Sequence, residues 1–272
     1  MSDIWKYVNS LRETTIDIMN GWYSQNYAEK NKSGIKSWAC SYGDHPSVWI
    51  PEMLELKEDE KGNLMYRIDE NNSPYRKSES EFYTSAGMFI SENNGEFGGK
   101  LITPKSILRG NFNCVFECDG IIYAIDSLAH MGVRHMTIYR FTEDLSADIV
   151  YSTCESDDTM GFFQSFSLDT WSIKDNIIYV LASGEVNKDS NSEWISKSIL
   201  LKIESGKLIK KTEYDFAVYQ TRNMIVTDDK IYVGADKVVV VIDIATNEVV
   251  AYTPISHEDE ENILSIRDVY LS

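Results

Sequence analysis

The sequence has few of the residues that usually announce chemistry. It holds four histidines and four cysteines in 272 residues, and none stands at a spacing that a metal requires. A zinc site draws on Cys-x2-Cys pairs, or on cysteine and histidine at helical spacing. Here Cys40 and Cys154 are isolated, and Cys114 and Cys118 lie four apart in "CVFEC". On a strand, residues four apart share a face and are too distant to form a disulfide. All four are read as free thiols, with no ligand role. The nucleophile elbow G-x-S-x-G, the P-loop, G-x-G-x-x-G and H-E-x-x-H are all missing. No cofactor, metal or catalytic residue is therefore expected, and the protein is read as not an enzyme.

Long apolar runs are missing too. None approaches the roughly 18 residues that would cross a bilayer as a helix. The opening "MSDIWKYVNSLRETT" carries acids early and has no basic region followed by an apolar one, so no signal peptide is expected. These features place the protein in a bacterial-type cytoplasm or an equivalent reducing compartment.

Positive charge is scarce. There are 26 Lys and Arg against 43 Asp and Glu, a formal net charge of −17. Such a chain repels nucleic acid phosphates and anionic membranes, so neither is an expected partner. It attracts a basic protein and speeds the encounter with it. The 43% apolar content is enough for a core and too high for a disordered chain.

What is present begins with a helical pattern. Ile4, Val8, Leu11, Thr15, Ile18 and Trp22 fall at spacings of four, three, four, three and four, one face of a helix of about five turns. Residues 1–35 are read as this helix and a polar connection, and residues 36–272 as a separate β-domain. Beyond residue 36 the grammar is that of strands, short apolar or alternating runs separated by turn residues such as "DEKGN", "ENNG", "ESGK" and "ATNE".

Three runs repeat: "DGIIYAID" (119–126), "DNIIYVLA" (175–182) and "DDKIYVGA" (228–235). Their tyrosines, Tyr123, Tyr179 and Tyr232, are 56 and 53 residues apart. In each unit a short strand precedes the phrase, the phrase is a second strand, and two more follow: "MTIYRF" and "ADIVYST", "SILLKI" and "KLIKKTEY", "VVVVIDI" and "EVVAYT". A fainter copy lies at "GMFIS", and "LELKEDEKGNLMYRIDE" is read as a hairpin of a still earlier unit. The continuous apolar character of the phrase suits a strand buried on both faces. One sheet cannot bury two faces alone, but stacked neighbours can.

In these hairpins the chain resembles β-propellers of the quinoprotein-like and WD40-like kind. The resemblance covers about residues 80–256 and implies an all-β fold of about five four-stranded blades behind the N-terminal α-helix. Such rings close on strands from both termini, so the last strands are expected to join "KSWACSYG" or "SVWIPEM". Neither the Trp-Asp dipeptide nor a recurrent glycine doublet repeats, so no subfamily follows.

Candidate site residues come from the distribution of charge. Between Phe141 and Ile173 there are seven acids and no Lys or Arg, whereas residues 174–211 carry seven lysines. Within the acidic tract, Glu155, Asp157 and Asp158 adjoin Met160, Phe162 and Phe163. Near the C-terminus, Glu258, Asp259, Glu260 and Glu261 are consecutive. Steering charge around an apolar anchor is the composition of a protein-binding hot spot. Calcium binding by "ESDD" is set aside, because the alternating D-x-D-x-D-G loop is missing. His130 and His135 are read as a surface-loop pair without a partner acid. Asp126 and Asp243, at the ends of apolar strands, are the candidates for the alternative of a carbohydrate-active hydrolase with axial carboxylates. A scaffold subunit, acidic only for solubility, is the third possibility.

Small, strongly acidic and without a catalytic motif, the chain also resembles immunity proteins of bacterial toxin systems, such as those of contact-dependent growth inhibition. That resemblance implies a basic nuclease toxin as partner, its active site covered by acidic loops.

Overall fold

The structure is a computed structural model, and it describes residues 5–14, 53–69, 79–130, 133–153, 164–187, 194–216, 221–235 and 238–254. Among the described residues the protein is all-β, in five antiparallel sheets of three to five strands. They divide between two compact units.

The larger unit holds three sheets, each of four strands paired in sequence order. The first is β5 (Glu79–Thr84), β6 (Gly87–Asn93), β7 (Gly99–Ile102) and β8 (Ile107–Arg109). The second is β9 (Phe112–Cys118), β10 (Ile121–His130), β11 (Val133–Phe141) and β12 (Ala147–Ser152). The third is β13 (Gln164–Lys174), β14 (Ile177–Asn187), β15 (Trp194–Glu204) and β16 (Lys207–Tyr214). Each repeated phrase is the second strand of its sheet, and so is "GMFIS".

The phrase is built by its turn and its two faces. Asp119 and Gly120 (φ 50° and 70°), like Asp175 and Asn176 (φ 51° and 61°), are left-handed, as the tight two-residue hairpin turn requires. The third copy turns differently: the Thr227 hydroxyl accepts the Lys230 N–H and donates to Asp229. Along β10 the side chains alternate between two cores. Ile122 and Ala124 pack with Phe89 and Leu101 of the first sheet. Tyr123 and Ile125 pack with Ile178, Val180, Ile199 and Leu201 of the third. The middle sheet is thus buried on both faces. The Tyr123 hydroxyl also accepts the Gly206 N–H at 2.9 Å, tying β10 to the β15–β16 turn. Cys114 and Cys118 are in no disulfide and are buried in the same core, as one strand face demands.

The smaller unit holds two sheets. In one, β3 (Met53–Glu58) and β4 (Leu64–Asp69) form the expected early hairpin, and β1 (Lys6–Tyr7) is added beside β4. In the other, β17 (Asn223–Val226), β18 (Lys230–Gly234), β19 (Val239–Asp243) and β20 (Val249–Thr253) are joined by β2 (Arg12–Thr14) beside β20. Asn223 brackets β3: its side-chain oxygen accepts the Leu56 N–H at 2.9 Å and its amide donates to the Leu56 carbonyl at 2.7 Å. Gly234 lies against the Leu54 backbone, where a Cβ would collide with the Leu54 carbonyl.

The expected N-terminal α-helix is not formed over the described residues. Instead β1, a single 3-10 turn (Val8–Ser10) and β2 follow one another. The edges of β4 and β20 offer unpaired backbone that an extended segment satisfies and a helix cannot. Val8 and Leu11, the apolar positions that suggested a helix face, enter the core with Leu54, Leu56 and Val239. Trp5 is held under Lys57 Nζ, 4.0 Å from the ring centroid, and Arg67, at 5.0 Å. The strand beside β20 is therefore Arg12–Thr14; "KSWACSYG" lies outside the described residues, as does "SVWI".

Replacing Asn223 by Ala removes both partners of the Leu56 peptide groups, and a loss of about 1–3 kcal/mol in urea-unfolding stability is expected. Gly234→Ala, which meets backbone that cannot swing aside, is expected to cost more. Equal stability of both variants and the wild type would show that the bracket holds nothing.

Candidate functional site

The partner-binding residues expected from sequence, Glu155, Asp157, Asp158, Met160, Phe162 and Phe163 together with Glu258, Asp259, Glu260 and Glu261, all lie outside the described residues. The flanking acids of the same tract are described, and they hold separate positions. Glu143 and Asp144 belong to the β11–β12 turn, where Asp144 accepts the Thr142 hydroxyl and the Ser146 N–H. Asp148 pairs with Arg140 at 3.1 Å. Asp169 sits at a bulge in β13, opposite β14, and accepts the Ser183 hydroxyl. The lysines beyond are partly neutralised in the same way: Lys197 lies 3.3 Å from Asp215, and Lys211 lies 3.0 Å from Glu213.

Of the two carboxylates weighed for catalysis, Asp243 caps a turn. It accepts the N–H groups of Ala245 and Thr246 at 3.0 and 2.8 Å, and the Thr246 N–H above all holds its carboxyl below the usual range. Asp126 is different. Its side chain is 11% exposed, and Oδ1 accepts the Asn111 N–H at 2.6 Å and lies 3.2 Å from His135 Nε2.

This pair corrects the reading of the two histidines. His130 and His135 are on strands β10 and β11, because the ladder between these strands continues past the end of β9, to His130 opposite Val133. Register puts Asp126 opposite Thr137 and His135 two residues away, a diagonal cross-strand neighbour. Nine residues of separation in sequence hide that contact unless the register is known. The ladder between β14 and β15 likewise runs far, out to Asn187 opposite Trp194.

Around the pair runs a polar network at one end of the three sheets. The Ser127 hydroxyl donates to the His135 carbonyl at 2.9 Å and accepts the Leu168 N–H at 2.8 Å, joining β10 to β13. The Asn113 amide donates to the Ser127 carbonyl, and the Asn93 amide donates to the Asn113 side-chain oxygen. The Asn111 amide donates to the Gly95 carbonyl, while its own Oδ1 is buried with no partner among the described residues. Gly99 has no room for a side chain beside Asn111 and the Gly110 carbonyl. β12 ends at Ser152 and β13 begins at Gln164, both at this same end.

Chemically, this arrangement orients an imidazole against a carboxylate that a backbone N–H already holds. Sequence reasoning singled out Asp126 and missed Asn111 and Ser127, which carry no motif and act through position alone. Among the described residues no group of three or more His, Cys, Asp or Glu could hold a metal ion, and no helix is long and apolar enough to cross a membrane. No protein-family model matches the chain, and no curated protein matches it.

The Asp144 carboxyl is held down to about 2, first by the Thr142 hydroxyl and then by the Ser146 N–H. Its folded value lies below its unfolded one, so the stabilisation from this turn is complete above about pH 4 and disappears as pH falls through about 2. A carbon-13 titration should place the Asp144 carboxyl midpoint near that lower value. A midpoint near 4 would mean that the turn is not formed.

Proposed function

We propose that the five sheets are blades of a β-propeller, and that the protein acts by binding a basic protein rather than by catalysis. The carrying observation is the net charge of −17 on a chain built as a repeat of small antiparallel sheets. Three further features support the reading. The sheets of the larger unit run up and down in sequence order, the repeated phrase is the second strand of its sheet each time, and a strand from near the N-terminus lies beside β20. The most concrete partner is a cationic nuclease toxin in a bacterial cytoplasm, whose phosphate-binding groups the carboxylates of the acidic segments would occupy. Glu155, Asp157, Asp158 and the run from Glu258 to Glu261 supply the charge in this reading, and Met160, Phe162 and Phe163 the apolar anchor.

The hydrogen bond between Asp126 and His135 favours a second reading, a hydrolase acting on carbohydrate through Asp126. Asp126→Asn separates it from the first: turnover of a glycoside that is lost in a folded variant supports hydrolysis, and binding that is unchanged supports the first reading.

The direct experiment captures partners on the immobilised protein, from native lysate and from the product of the neighbouring gene, at low and high salt. A stoichiometric basic protein held at low salt is expected. Reversing Glu155, Asp157 and Asp158 to Lys should weaken it by about tenfold or more at low salt, in keeping with charge pairs at an interface. Unchanged affinity after reversal of both acidic segments would leave them as solvated charge alone.

A further inference from the structure

The connection between β6 and β7 carries Asn94–Gly95, a pair of residues with a chemistry of its own. Glycine has no Cβ to shield its peptide nitrogen, so that nitrogen can attack the side-chain amide of an asparagine just before it. The Gly95 nitrogen forms a bond to Asn94 Cγ and gives up its proton to solvent. The Cγ–Nδ2 bond breaks, and Nδ2 takes a proton from water and leaves as ammonia. Water then opens the five-membered imide at either carbonyl, leaving aspartate or isoaspartate at position 94.

Asn94 is exposed to the water that the reaction needs, yet the turn denies it the geometry. Ring closure brings the Gly95 nitrogen into line with the Asn94 Cβ about the Cα–C bond. Asn94 has ψ 19°, so that nitrogen lies nearly in line with the Asn94 nitrogen instead. Hydrogen bonds hold this rotation from both sides. The Asn94 N–H donates to the Gly98 carbonyl at 3.0 Å, and the Asn94 carbonyl accepts the Phe97 N–H at 3.2 Å. The Gly95 N–H, the group that would attack, donates to Asn93 Oδ1 at 3.0 Å. The Gly95 carbonyl accepts the Asn111 amide at 2.9 Å. Asn93 is itself fixed, because its amide donates to Asn113.

We propose that Asn94 is a site of spontaneous deamidation that the folded turn keeps closed, with Asn93 as its guard. The proposal rests on this one turn, and neither reading of function bears on it. Reaction passes only through molecules whose turn has opened locally, so its rate reads the population of the open turn. Isoaspartate sends the backbone through the former side chain and adds a methylene to the turn. The Gly95 carbonyl is then drawn away from the Asn111 amide, and the change reaches the network around Asp126.

The test incubates the full chain in mildly alkaline buffer, with and without guanidinium chloride, and follows position 94 by peptide mass spectrometry with isoaspartate detection. The native chain is expected to react at least about tenfold more slowly than the same chain in denaturant, since opening breaks more than one hydrogen bond. Asn93→Ala should speed the native reaction about fivefold, the factor that one hydrogen bond of ordinary strength gives to a rate. Asn93→Asp keeps an acceptor for the Gly95 N–H and should stay close to the wild-type rate. If Asn93→Ala does not fold by circular dichroism, the comparison of native and denatured wild type decides alone. A native chain that reacts as fast as the denatured one, or a denatured chain that does not react at position 94, would overturn the proposal. A folded Asn93→Ala variant no faster than wild type, or Asn93→Asp as fast as Asn93→Ala, would remove Asn93 as the guard and overturn it equally.

Discussion

Everything in the larger unit depends on a sheet that is apolar on both sides. The side chains of β10 go alternately to two cores, Ile122 and Ala124 to one, Tyr123 and Ile125 to the other. Such a strand is stable only between two other sheets, because leaving either face in water forfeits roughly 25 cal/mol for each Å² of apolar surface. The repeat in the sequence and the stacking of the sheets are thus one fact. Within the larger unit a strand of this kind recurs, and β10 finds its two neighbours in the sheets of β6 and β14.

The polar groups obey the complementary constraint. Where the apolar strands end, backbone groups lose their ladder partners and need side chains to replace them. Asp126, Ser127, Asn111 and Asn113 do this at one end of the larger unit, and Asn223 does it for β3 in the smaller. Asp126 and His135 meet within such a network, which gives the pair a structural task whatever else it does. Asp243, with its carboxylate given over to two N–H groups of a turn, has the structural task alone in view.

Charge divides in a similar way. Of the described acids of the tract after Phe141, Asp148 is taken up by Arg140, Asp169 by Ser183 and Asp144 by its own turn.

The sequence by itself determined the strands of the repeated units, their order within each sheet, the tight turns at Asp119–Gly120 and Asp175–Asn176, and the unbridged cysteines of one strand face. These follow from local rules: which residues accept a left-handed turn, and which side of a strand each residue takes. Only the tertiary structure decided the rest. Val8 and Leu11 fit a helix face by spacing, yet the open edges of β4 and β20 draw their segment into extended backbone. Asp126 finds His135 through a ladder that outruns β9. In each case the deciding energy comes from a partner distant in sequence, and that partner's position exists only once the chain has folded.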